Sequence, residues 1–329
     1  MASTFLRPTV IARAAVDLLL RELVLARTVW SDAVAPAEFE GAFGDTVTLR
    51  IPARRTARTR VLRAGSSITN DDSNEFGVAV VLDTDVYNGA PITDEDLTLS
   101  IQDFGQQILM PQIRAVAEGV EDQIAAQITG ATYEATHTID ADSFQTSSVN
   151  DWYKIANRCR RILNESNVPM SNRTFLVGTA IEEEMLNNDK FIRFDSIGQS
   201  AESALREASI GRIAGFTVVV SNSIPDTDAY AYHRTAFVLA ARAPRVPQGA
   251  NMAVQRSLGE AERLGAASGL SGIGVRWLMD YDYTTTTDRS LVNTWVGTAV
   301  VEDPDDVTNA SSDKDLLRAV RVSGGGTSS

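Results

Sequence analysis

Histidine occurs only at 137 and 233, and cysteine only at 159. A serine–histidine–aspartate relay or a thiolate zinc site therefore has almost no material to work with. The glycine-rich run GLSGIG at 269–274 has the wrong spacing, and lacks the strand–helix setting, of a dinucleotide loop. Neither Ser268 nor Ser271 has glycines two residues away on both sides, as a nucleophile elbow requires. Glu182, Glu183 and Glu184 read as the solvated first turn of a helix, where the macrodipole favours acids. Asp303, Asp305 and Asp306 could face a calcium ion, but no ligand pattern of the required length follows them, so a solvated loop is expected. Cys159 falls on the apolar side of a helical pattern with Val149, Trp152, Ile155 and Ile162, the place of a small buried hydrophobe. No catalytic, cofactor-binding or metal-binding residue is assigned, and the chain is not expected to be an enzyme.

What the chain does have in quantity is guanidinium. Arg50, Arg54, Arg55, Arg58, Arg60 and Arg63 fall within one short stretch. Residues 1–63 hold ten arginines against six acids, +4, and because the whole chain is −13 the remainder carries −17. A basic N-terminal fifth on an acidic body suits ion pairing between copies of the chain, while the net charge argues against a general nucleic-acid binder. Lysine is found only at 154, 190 and 314.

Several elements position those arginines. Residues 8–27 read as an amphipathic helix with Val16, Leu19, Leu20 and Leu23 on its apolar face; a docking arm and a core helix fit equally well. Residues 45–51 alternate as a half-buried strand, and 78–87 form a second β-rich run. The two are joined by the arginine-dense segment and the polar run GSSITNDDSNEFG at 65–77. That is a hairpin of about forty residues, too long to be stable alone, so it is expected to project and pair with a neighbour. Asn88–Gly89 reads as a turn.

The chain is organised around residues 97–130, where Leu109, Ile113, Val116, Val120, Ile124 and Ile128 recur every three or four positions. From Pro111 to Gly130 this helix would run roughly 30 Å, with a kink or fresh start at Pro111. Helices are also expected over 149–163, from a Thr179/Glu182 capping box to Leu186, and over 201–209. Strands are expected at 173–177, 216–220, 235–240, 276–283 and 290–301, with a glycine-rich loop at 264–274 and an unstructured Gly/Ser tail at 323–329. Lone Cys159 and the absence of any apolar run near the ~18 residues of a membrane span point to an intracellular, reducing origin and no membrane.

The order of these elements resembles the HK97-like major capsid fold of tailed phages, an α+β architecture. The runs GDTVTLRIP at 44–52, ITDEDLTLSIQD at 92–103 with FGQQILMPQIRAVAEGVE after it, and IGRIAGFTVVVSNSIP at 210–225 resemble the gene-five-type coat proteins of short-tailed phages. The likeness extends over roughly residues 1–300. It implies an N-arm at 1–43, an extended loop at 44–90 overlapping the adjacent subunit, a peripheral domain at 91–135 and 276–300 built on the spine helix, an axial domain at 140–270, and a C-terminal tail at 301–329. The implied function is self-assembly into hexamers and pentamers of an icosahedral shell enclosing double-stranded DNA, in a virion assembled in the host cytoplasm.

The implied partners are further copies of the chain, a portal, decoration proteins, and packaged DNA held without sequence-specific binding. A separate scaffolding protein is expected, because the arm is too short to contain one. Residues 44–90 contain no lysine, so the loop-lysine crosslink of some shells of this fold cannot form from this loop. A shell of the same fold enclosing a cargo enzyme, a tail-tube or minor virion protein, and a small-substrate hydrolase or transferase are the competing readings.

Overall fold

In a computed structural model, residues 23–31, 33, 46–51, 57, 59–62, 68, 76–93, 105–146, 149–187, 211–247, 252–257, 274–282, 287–304 and 314–324 are described. Strands β1 (Thr46–Ile51) and β2 (Phe76–Val81) form an antiparallel ladder from Thr46 opposite Val81 to Ile51 opposite Phe76. After two residues the chain enters β3 (Thr84–Ile92), which joins a different sheet. The single run expected over 78–87 is thus two strands. The break falls at Leu82 and Asp83, where the chain passes from the hairpin to the body. The turn expected at Asn88–Gly89 is instead mid-strand, in register with Val292 and Leu291. Its neighbour Pro91 is tolerated because β3 pairs on one side only among the described residues.

A π turn at Gly105–Leu109 leads into helix α1 (Met110–Gly130), with Pro111 in its first turn. There the missing N–H costs nothing. Strand β4 (Thr138–Asp140) is followed by α2 (Trp152–Glu165), β5 (Arg173–Val177) and α3 (Thr179–Leu186). Val149 lies outside α2, in a two-residue strand; Asp151 starts the helix by accepting the Lys154 N–H. No capping box opens α3: Gly178 is the N-cap and Thr179 is already helical.

Strands β6 (Arg212–Ile213), β7 (Phe216–Val220), β8 (Ala229–His233), β9 (Phe237–Arg242), β10 (Met252–Ser257), β11 (Gly274–Asp282), β12 (Thr287–Val300) and β13 (Ala319–Ser323) complete the fold. No strand is expected from sequence at β4, β6, β8, β10 or β13, and the strand expected from 235 begins at 237, after a 3-10 turn at Arg234–Ala236. The helix expected over 201–209, most of the 8–27 helix and most of the 264–274 loop lie outside the described residues.

Two sheets result. In the first, β12 carries β3 along one edge and β11 then β9 along the other, with β10 outside β11. The second has the order β4–β13–β8–β5–β7–β6. Strands β9 and β10, within 140–270, pair into the sheet beside α1, and β13, within 301–329, lies between β4 and β8 in the second sheet.

Three apolar cores hold these layers. The largest unites the buried face of α1 with Phe237, Leu239, Trp277, Val292 and Val296 of the first sheet and with Tyr230 and Tyr232 of β8. Gly119 permits this approach, since a Cβ there would lie 2.7 Å from Val86 Cγ1. The second core packs α2 and α3 against Phe175, Val177, Ala229, Ala231, Val320 and Val322. Strand β8 therefore sends alternate side chains into two cores, and all five of its residues are buried. Such a strand has no polar face to announce its period of two. The third core lies against the other side of β9 and β12: Val238, Ala240 and Ala299 meet Ile51 and Val80, with Val47, Leu49 and Val78 packed around them. The root of the β1/β2 hairpin is thereby fixed to the body.

Candidate functional site

The polar groups singled out for their chemistry serve as joints. Both histidines are buried, and burial lowers their pKa. His137 Nε2 meets Ser166 Oγ at 3.1 Å and Nδ1 meets Thr136 Oγ1 at 3.0 Å, tying the C-terminus of α2 to the chain after α1. Cys159 is fully buried and its thiol is pushed up to about 12, so it is not a nucleophile. Glu184 is no solvated acid: it accepts the Trp152 indole N–H at 2.8 Å and the Asn150 N–H at 3.4 Å. Asp303 takes both ends of the Arg318 guanidinium, at 2.6 and 2.5 Å; Asp305 and Asp306 lie outside the described residues. No group of acids, histidines or cysteines among the described residues could hold a metal, and no described helix is long and apolar enough to cross a membrane.

The six spine positions Leu109, Ile113, Val116, Val120, Ile124 and Ile128 are all buried in the largest core. Two polar residues share that face. Gln112 Nε2 donates to the Ser290 carbonyl at 2.9 Å, Ser290 Oγ donates to Gln112 Oε1 at 2.8 Å, and Trp277 Nε1 donates to Ser290 Oγ at 3.0 Å. This closed network fixes α1 on β11 and β12 in register as well as in contact.

Glu121 reaches the other way. Its Oε2 accepts the Leu25 N–H at 2.8 Å and its Oε1 the Ala26 N–H at 3.2 Å, capping a 3-10 turn at Leu25–Arg27. Leu23, Leu25, Ala26 and Val29 are buried in the α1 core, and the Trp30 N–H donates to the Phe237 carbonyl at 3.0 Å. The described end of the expected arm is thus a strap on its own subunit, in 3-10 rather than α form. A single acid among apolar helix positions was the one signal in the sequence that could have located it.

The hairpin is different in kind. Its root is buried, yet Val61, Leu62 and Ile68 beyond the ladder are 76, 87 and 71% exposed. Arg50 and Arg60 are exposed on it as well, whereas Arg54, Arg55, Arg58 and Arg63 lie outside the described residues. A second exposed apolar pair, Tyr87 and Trp295, lies on adjacent strands of the first sheet. Beside it Asn293 donates to Asp85 at 3.1 Å and accepts from Arg276 Nε at 3.0 Å. Exposed apolar side chains at Val61, Leu62 and Ile68 are surface groups of the kind that mark contact sites.

A sequence profile of the phage capsid protein family matches residues 77–316. Comparison with curated protein sequences finds no significant match. Among solved structures the chain is similar to the capsid of Ralstonia phage GP4 (TM-score 0.60, 10% identity, 91% of this chain and 88% of that one). It is also similar to Mycobacterium phage Che8 (0.58, 16%, 93% and 92%) and to the capsid of cyanophage P-SCSP1u (0.58, 12%, 93% and 89%). The fold is the HK97-like fold of phage capsids. The chain belongs to the phage capsid protein family. It is a structural, non-enzymatic major capsid protein that self-assembles into the phage shell and resides in the virion capsid.

Proposed function

We propose that the chain forms hexamers and pentamers that close into an icosahedral head around double-stranded DNA, and that the β1/β2 hairpin, within the 44–90 segment, is the element that overlaps the adjacent subunit. The observation that carries this is the contrast along the hairpin: a root buried against β9 and β12, then a far part with its apolar side chains in water. A soluble monomer has no use for a ribbon that exposes valine and leucine at its far end. Repeated in a ring, a contact between two different surfaces closes on itself and builds shells. The stretch Arg50, Arg54, Arg55, Arg58, Arg60 and Arg63 then meets an acidic neighbour, since the chain outside residues 1–63 carries −17. That charge contrast supplies register. Residues 1–43 act as the arm, 91–135 with 276–300 as the peripheral domain and 140–270 as the axial domain. Assembly proceeds in the host cytoplasm with a separate scaffolding protein and a portal, decoration proteins attach outside, and an acidic body leaves the packaged DNA unbound by sequence.

Charge reversal at Arg54, Arg55 and Arg58 tests this reading. Particle yield by negative-stain electron microscopy is expected to collapse while the circular dichroism of the subunit is unchanged. Normal yield removes these arginines from the subunit contact. Intact particles with altered genome content would assign them to nucleic acid instead.

A further inference from the structure

The passage from β2 to β3 crosses the first sheet at one point. A Cβ built on Gly297 would fall against the Val81 carbonyl oxygen, with the carbonyl carbon at 2.8 Å and Leu82 Cα at 3.2 Å. All three atoms are backbone, so no rotamer change can make room. On β12, Val296 still pairs with Thr84, and the next residue, Gly297, pairs across the other edge with Ala240. The crossing therefore sits where the ladder to β3 ends and the root of the hairpin begins.

We infer that Gly297 is the seat that sets the angle at which the β1/β2 hairpin leaves the body, and so is a positioning residue for shell assembly. The chain must turn from one sheet into another within Leu82 and Asp83. Direct contact of the Val81 peptide with the bare Cα of Gly297 pins that turn in depth. Any side chain at 297 lifts the Val81–Leu82 backbone off the sheet and tilts the hairpin about its root. The ladder turns on the third core that its inner face packs against; its six strand residues at about 3.4 Å each span about 20 Å, so a rotation of about 10° moves its outer end, and Val61 and Leu62 beyond it, by about 3.5 Å or more. Side-chain contacts tolerate gaps of about 0.5–1 Å. A substitution that leaves the subunit folded thus takes the far end out of reach of its partner surface. The assembly half of the inference rests on the hairpin being an intersubunit element; the angle half does not.

The test measures the angle first. Spin labels are placed on the full chain at Val61→Cys and Met170→Cys, two exposed positions, while buried Cys159 stays unlabelled. The label-to-label distance is read by double electron–electron resonance before assembly, and particles are then counted by electron microscopy. Gly297→Ala is expected to shift the mean distance by about 3 Å or more and to lower particle yield at least tenfold. Adding Val81→Ala is expected not to restore either, because the obstruction is a carbonyl and not a side chain. Asp83→Gly introduces no clash and keeps the test open if Gly297→Ala misfolds; it should broaden the distance distribution about an unchanged mean. An unchanged distance in Gly297→Ala, or restoration by Val81→Ala, overturns the inference. A shifted distance with normal particles supports the seat and removes the hairpin as an intersubunit element.

Discussion

Glu121 is an acid on the buried face of α1, next to the stripe position Val120. Burial in that core raises its pKa above the ordinary 4.5; the N–H groups of Leu25, Ala26 and Val24 pull it back only partly, and Asp122 adds a smaller upward push. The folded chain therefore holds this proton to a higher pH than the unfolded chain does. The stability this group contributes is complete below the ordinary value and is lost as pH rises through the folded one. Glu121→Gln is thus expected to flatten the stability–pH curve of the unassembled subunit above the ordinary carboxylate value, with the variant gaining on the natural chain as pH rises. Urea midpoints at several pH values read this directly, and parallel curves would mean that the carboxyl is not desolvated. The same residue marks the limit of reading from periodicity. The 3.6-residue stripe predicts six buried apolar positions, but it says nothing about a polar residue whose partner is backbone about a hundred positions away.

At the scale of elements, helix and sheet are joined by both shape and polarity. Val292 and Val296 meet the helix through apolar area, which resists separation but not sliding. The Gln112–Ser290–Trp277 network resists sliding, because each hydrogen bond has one geometry. Ser290→Ala removes one hydroxyl and strands two buried partners, Gln112 Oε1 and Trp277 Nε1. Each buried group left unsatisfied costs about 1–3 kcal/mol, so a loss of at least 2 kcal/mol is expected in chemical denaturation. Ser290→Thr, which keeps the hydroxyl, should recover part of it. A loss below about 0.5 kcal/mol would show that water replaces the hydroxyl. Elements with one wet face were legible in sequence: the alternation over Thr46–Ile51 and the stripe of α1 each name the face that packs. Strand β8 was not legible, because AYAYH is buried on both faces and its small and large residues fill two different cores. The run 78–87 looked continuous because β2 and β3 are both extended; their division at Leu82 is set by tertiary packing against Gly297, which no local pattern records.

For the whole molecule the question is which force drives one copy onto the next. The arginines of the hairpin suggest charge, and Val61, Leu62 and Ile68 suggest apolar burial. The two separate with salt. At about 0.1 M ionic strength the screening length is about 10 Å, and exposed ion pairs contribute about 0–1 kcal/mol each. Burying one valine or leucine contributes about 1.5–3 kcal/mol irrespective of salt. Group for group, the apolar side chains are therefore expected to contribute more to the proposed hairpin contact, with charge setting its register. Replacing Val61 and Leu62 together by serine is expected to raise the protein concentration needed for assembly at least tenfold, since each 1.4 kcal/mol is a factor of ten. The effect should be equal at 0.05 and 0.5 M salt. Raising salt on the natural chain should change that concentration by less, and should instead increase the share of malformed particles, as contacts form with less guidance. Light scattering gives the concentration and electron microscopy the particle shapes. Should salt alone abolish assembly while the double serine variant assembles normally, the order of the two forces is reversed and the hairpin is an electrostatic arm.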